Sequence, residues 1–163
     1  MERKMRRFRQ KLPESETLRI LKEGKYAVWG VSGDDDYPYA VPVNYVYDGE
    51  SIYIHSAIQG HKIDSIRRNP KCSLCIVDKD DVVPEKFTSY FRSVIVFGKA
   101  HILEERSSVI KALKILSNKY SPGIDPENEI ERFINTVCVI RIDIDCVSGK
   151  EAIELTRERQ QVH

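Results

Sequence analysis

The stretch His55-Ser-Ala-Ile-Gln-Gly-His-Lys62 brings a hydroxyl, two imidazoles and an ammonium to the junction between a strand-like apolar run and a helical one. Ile52-Tyr-Ile54 ends the strand, and Gly60 permits a turn that a side chain would resist. Ile63 and Ile66 give helical spacing up to Asn69-Pro70, which stops the helix. A helix start presents unpaired backbone N–H groups and a partial positive charge, so Ser56, Gly60, His61 and Lys62 around it suit a phosphate or another small anion. A hairpin leading into a solvated helix with surface Lys and Arg explains the same residues without a ligand.

Val41-Pro-Val-Asn44 is the second unusual segment, because proline in a strand is tolerated only where the ladder needs no donor, at an edge or a bulge. There the backbone groups of Val41 and Val43 are free to meet something other than a strand, such as the hydrogen-bonding rim of a planar ring. Protection of an edge against aggregation is the alternative. Asn44 shares a strand face with Pro42 and wants either a ligand or a backbone partner. Further along, Ser89, Tyr90, Arg92 and Ser93 supply hydroxyls and one guanidinium in close succession. Arg92 suits a phosphate or a carboxylate, and equally an ordinary surface position at a strand entry. His55 is the one candidate for proton donation or haem ligation, against the commoner role of a packed strand histidine. The chain has no Ser/His/Asp order, H-E-x-x-H, Walker loop or G-x-G-x-x-G, so hydrolase and nucleoside-triphosphate chemistry lose their main support.

The elements that must position these residues follow from periodicity and punctuation. Leu18 and Leu21 predict a first helix over 12–24 with Gly24 as its C-terminal cap, and strands are expected over 26–31, 39–47 and 51–56. Asp48-Gly49 is a tight hairpin signal between the last two. After the helix that starts at Gly60, a strand is expected over 72–77, a polar loop over 78–86 and a long strand over 93–103 with a weak point at Gly98. Val109, Leu113, Leu116 and Tyr120 mark a helix over 107–120 capped by Ser107, followed by a short helix over 127–135 and a last strand over 137–146. Six strands joined mostly by hairpins predict an antiparallel α+β domain closed or partly closed into a barrel, since parallel strands would need longer connections.

Composition narrows the partners. The 163 residues fit one domain with a real core, and 26 basic against 25 acidic residues leave nothing global that points to nucleic acid or a membrane surface. A basic arm is expected at about 1–11 and a charged tail at about 156–163. The arm has no apolar core run, so no export signal is expected, and neither is a membrane helix. A cytoplasmic protein with reduced thiols is the consequence. Cys72 and Cys75 lie in a predicted strand where residues three apart face opposite ways, which argues against shared metal ligation; no metal is expected.

Pro38-Tyr-Ala-Val-Pro-Val-Asn-Tyr-Val-Tyr-Asp48, Ile52-Tyr-Ile-His-Ser-Ala57, Gly60-His-Lys62, Asn69-Pro70, Tyr90-Phe-Arg-Ser-Val-Ile-Val-Phe-Gly98 and Ser148-Gly-Lys150 together resemble the nitroimidazole-resistance family. That family belongs to the pyridoxamine 5'-phosphate oxidase-like, FMN-binding split-barrel superfamily, and the likeness runs in order from Met5 to about Leu155. The resemblance implies a six-stranded, Greek-key split β-barrel with flanking helices. It also implies a homodimer with FMN held between subunits, and an FMN-dependent oxidoreductase reducing a small planar acceptor such as a nitroaromatic. It places Val41, Pro42, Val43 and Asn44 against the flavin ring, and His55, Ser56, Gly60, His61 and Lys62 at its phosphate. Ser89, Tyr90, Arg92 and Ser93 are placed near the cofactor at the interface. A non-catalytic flavin- or haem-binding protein of the same fold is the alternative. Ser93 and Ile95 stand where true pyridoxamine phosphate oxidases carry Gln and a second Arg, which argues against that activity.

Overall fold

The structure, a computed structural model, describes residues 4–161. In chain order the elements are α1 (Glu14–Glu23), β1 (Ala27–Ser32), β2 (Pro38–Val43), β3 (Val46–Tyr47), β4 (Ser51–Ala57), α2 (His61–Arg68), β5 (Lys71–Val83), β6 (Thr88–Ile102), α3 (Arg106–Tyr120), α4 (Glu127–Phe133), β7 (Val137–Glu151) and α5 (Ile153–Gln161). Every strand pair is antiparallel, in one sheet of order β2-β1-β5-β6-β7-β4-β3.

That order forces the sheet to curl. The outermost strands β2 and β3 are consecutive in the chain, separated only by Asn44 and Tyr45. A flat sheet of this order would hold them roughly 29 Å apart, six spacings of about 4.8 Å, whereas the backbone from Val43 to Val46 reaches at most about 11 Å. The two edges therefore meet across a two-residue break, and the sheet is a nearly closed barrel. The six-strand count from sequence becomes seven here, because the strand expected over 39–47 bends at Asn44-Tyr45 and serves both edges.

Inside the barrel lie Trp29, Ile52, Ile54, Leu74, Ile76, Val94, Val96, Ile140 and Ile142, all fully buried or nearly so. Along β1, β4, β5 and β6 they alternate with more exposed residues, as the period of a half-buried strand requires, whereas on β7 Val139 is buried too, packed on its other face against Val109 and Ala112 of the helix over 106–120. Gly24 ends α1 with an ordinary negative φ; glycine is needed there because a Cβ would lie 2.5 Å from the Tyr45 hydroxyl and 2.8 Å from Ile76. At Gly98 the β6–β7 register shifts, and a Cβ would collide with the Asp143 carbonyl, so the weak point expected there is a bulge. The Asp48-Gly49 turn forms as expected, with Asp48 Oδ1 accepting the N–H groups of Glu50 and Ser51 at 2.9 and 2.8 Å.

Three boundaries differ. The polar loop expected over 78–86 is mostly strand: β5 and β6 continue as a paired arm from Lys79 opposite Arg92 to Val83 opposite Thr88, past a shift between Val77 and Lys79. The last strand runs on from Cys146 to Glu151, and the segment 153–161 is a helix with Leu155 and Thr156 buried. Finally, α3 starts at Arg106 after Glu105, whose carboxylate accepts the hydroxyls of Ser107 and Ser108, so Ser107 is not the cap. Among the described residues no helix is long and apolar enough to cross a membrane.

Candidate functional site

A cleft of about 560 Å³ opens on the outer side of β4 between that strand, the Asn44 end of β2, α3 and α4. Its volume suits a small organic ligand or cofactor. His55, Ser56 and Ala57 form one wall, Leu113, Leu116, Ser117 and Tyr120 of α3 a second, and Ile130 and Phe133 of α4 a third. The cleft is largely apolar, with Glu129 the one carboxylate-bearing residue in its lining.

Alternation along β4 sends Ile52, Ile54 and Ser56 inward and His55 and Ala57 outward. His55 is therefore an exposed imidazole at the cleft. Ser56 is 7% exposed, and its Oγ is buried with no hydrogen-bond partner, an arrangement that leaves a polar atom's desolvation uncompensated. Gly60, at φ +126°, then swings the chain into α2, which begins with no side-chain cap. Its first amides are left for another acceptor. Lys62, on that first turn, is half-buried and has no hydrogen bond or ion pair among the described residues. A hydroxyl without a partner, an uncapped helix start and an unpaired ammonium fit a phosphate.

His61 is placed differently from its neighbours. Its ring stacks on Tyr39 with centroids 4.1 Å apart and 20° between planes, and its Nε2 accepts the Asp34 N–H at 3.3 Å. The Asp34 carboxylate, 3.6 Å away, also takes a hydrogen bond from Arg68 at 2.6 Å, and that bond with Arg68 is the main reason its pKa is lowered. The side chain thus ties α2 to the β1–β2 turn.

On β2, Pro42 is exposed at one edge of the sheet, and Val41 and Val43 turn inward to pack on the core. Asn44 lines the cleft and has found a backbone partner, donating from Nδ2 to the Lys25 carbonyl at 3.0 Å.

The residues of β6 lie elsewhere in the molecule. His55 stands opposite Val139 and Ser93 opposite Lys150, eleven residues further along β7, a contour of roughly 36 Å at about 3.3 Å per residue. Arg92 is engaged there, donating to the fully buried Glu151 at 3.2 Å and approaching Asp78 at 3.5 Å, while Arg159 donates twice to the other Glu151 oxygen at 3.0 and 2.9 Å. Ser93 points to the other face of β6, and the Tyr90 hydroxyl accepts from Lys86 at 2.9 Å. The chain therefore gathers Asn44, His55 and Ser56 in its cleft and holds Ser89, Tyr90, Arg92 and Ser93 at the far end of the sheet.

Sequence reasoning missed the α3 and α4 walls. The helical stripe of Leu113, Leu116 and Tyr120 reads as core, and only the interleaved Ser117 and Ser121 hint that part of it faces a solvated cleft. Burial raises the pKa of the Cys72 and Cys138 thiols, which keeps those two in the protonated, unreactive form.

A curled antiparallel sheet flanked by helices, with a cleft outside the barrel beside a phosphate-ready helix start, defines a split-barrel protein of the pyridoxamine 5'-phosphate oxidase-like class. Residues 13–151 match the sequence model of pyridoxamine 5'-phosphate oxidase, and the chain belongs to that family. An uncharacterised protein of Rhizobium meliloti is 35% identical over 98 residues, which cover 55% of this chain and 59% of that protein. Among solved structures, a putative 5-nitroimidazole antibiotic resistance protein of Bacteroides thetaiotaomicron is similar with a TM-score of 0.72 at 21% identity, covering 86% of each chain. An FAD- and haem-binding protein of Mycobacterium smegmatis is similar with a TM-score of 0.74 at 17% identity, covering 88% of this chain and 73% of that one.

Proposed function

We propose that this protein binds FMN with its phosphate on the start of α2 and its ring beside Val41-Pro-Val-Asn44, and that it passes electrons from a reduced nicotinamide to a small planar acceptor such as a nitroaromatic. The observation that carries the reading is the buried, unpartnered Ser56 Oγ, on a residue of the cleft wall five positions before His61, where the uncapped, Lys62-bearing helix starts. Flavin supplies the electron transfer, and the chain supplies the phosphate clamp, the backbone edge for the ring and an apolar acceptor cleft.

A homodimer completes the site in this reading. On the outer face of the sheet, Pro42, Val28, Cys75 and Ile95 stand in one cross-strand row, with Val77 and Phe97 in the rows beside it. Val28, Val77 and Phe97 are 38%, 48% and 53% exposed. Contiguous apolar surface of this kind suits an interface, and a two-fold partner would bring its β6 residues toward a cleft that one protomer cannot reach with its own.

The test is direct. Purified protein should show flavin absorbance that bleaches with reduced nicotinamide and returns as a nitroaromatic is consumed. Protein that takes up no flavin overturns the reading. The exposed His55 imidazole at the cleft favours haem as a second occupant, and a Soret band on haem addition that is lost in His55→Ala would establish it.

A further inference from the structure

The break that joins the two edges of the barrel is held by the end of α3. Tyr45 lies between two strands and has no ladder partner of its own. Its N–H donates to the Tyr120 hydroxyl at 2.9 Å, and its carbonyl accepts from that hydroxyl at 2.6 Å and from Lys119 Nζ at 3.0 Å. The Lys25 carbonyl, on the α1–β1 link, is within 2.7 Å of the Tyr120 hydroxyl and 3.0 Å of Asn44 Nδ2. Lys119 donates to the Gly24 carbonyl at 2.6 Å and sits 4.2 Å from the centre of the Tyr45 ring. Below that ring, the Tyr45 hydroxyl donates to the Leu21 carbonyl at 2.7 Å.

Tyr120 and Asn44 both line the cleft. The residue that fixes the backbone at the break is thus also a wall of the binding site, and the segment it fixes is the end of β2 that carries Asn44. An edge strand gets its position from ladder bonds on one side only, so at this end the position of β2 depends on hydrogen bonds from α3.

We propose that Tyr120, supported by Lys119, is a positioning residue for the flavin: its hydroxyl sets where the Val41–Asn44 edge stands against the ring. This rests on the flavin reading above. Lys119 is suited to the supporting role because its partners here are carbonyls and a ring face; burial lowers its pKa to about 8.

Tyr120→Phe removes the hydroxyl and keeps the ring that fills the space. The full-length variant should still unfold cooperatively, bind FMN about tenfold or more weakly than the parent, and shift the visible bands and reduction potential of whatever flavin it holds. Spectrum and potential report how the ring is seated, and a purely structural loss of stability would leave them unmoved. Should Tyr120→Phe not fold, Lys119→Met carries the same test, with the same shift expected in smaller size. If the variant binds FMN with the parent's affinity, spectrum and potential, the inference is wrong while the flavin reading stands. Parent protein that binds no FMN overturns both.

Discussion

Glu151 gives the sharpest test of how the far end of the sheet is held. Its carboxylate is completely buried and accepts from Arg92 on one oxygen and twice from Arg159 on the other. Glu151→Gln keeps the shape but turns an –NH2 toward one of the two guanidinium groups, donor against donor, and removes the buried charge to which both of them bond. Breaking a buried ion pair from one side costs about 3–5 kcal/mol. The lower end applies, because the Arg92 and Arg159 side chains keep 22% and 26% exposure and can turn partly to water. A loss of about 3 kcal/mol corresponds to a fall in Tm of roughly 6–12 °C for a chain of this size. Urea denaturation followed by tryptophan fluorescence reads the loss as a lower midpoint at unchanged slope, with Trp29, the chain's one tryptophan, as the core probe. A Gln variant whose midpoint matches the parent would refute the reasoning, and with it the view that Arg92 is committed to the fold.

Other outcomes follow from the same geometry. Gly98→Ala should be among the most damaging small substitutions, costing about 3 kcal/mol or more because the obstruction is the Asp143 backbone rather than a side chain that can turn away; a thermal melt checks it. Lys119 has a folded-state pKa of about 8 against an ordinary 10.5, so between those values the unfolded chain holds more protons and stability contributed by this residue rises with pH. The titratable groups facing it are Tyr45 and Tyr120, both with pKa values raised by burial, so neither loses its proton early. The midpoint of the parent relative to that of Lys119→Met, measured from pH 7.5 to 9.5, should climb with pH. Ile95→Asp, together with Val28→Asp, should give a monomer by light scattering and abolish FMN binding if the interface completes the site.

Much of the fold is legible in the sequence because its signals are local. Gly24, Asp48-Gly49, Gly60, Asn69-Pro70 and Gly98 mark ends, turns and a bulge where the structure has them. What is illegible depends on partners distant in the chain. The arm formed by β5 and β6 is paired by its backbone while Asp78, Asp80, Asp81 and Val82 stay exposed, so no alternation betrays it. The bend at Asn44-Tyr45 is satisfied by Lys119 and Tyr120, some 75 residues later, and nothing within a strand-length window announces that. Arg92 reads as an anion-binding residue and does bind one, but the anion is Glu151 of its own chain. The α3 and α4 walls of the cleft read as core because a face that packs and a face that lines a cleft share the same apolar period.

The central claim is that the start of α2 holds a flavin's phosphate. The measurement that tests it most directly is a pair of fluorescence titrations, FMN against riboflavin, on the parent and on Lys62→Ala. The account predicts that the parent binds FMN about a hundredfold more tightly than riboflavin, a phosphate contribution of roughly 2.7 kcal/mol. It predicts too that Lys62→Ala loses most of that difference while its riboflavin affinity is unchanged. Equal affinity of the parent for the two flavins, or a Lys62→Ala variant that keeps the full preference for FMN, would contradict it.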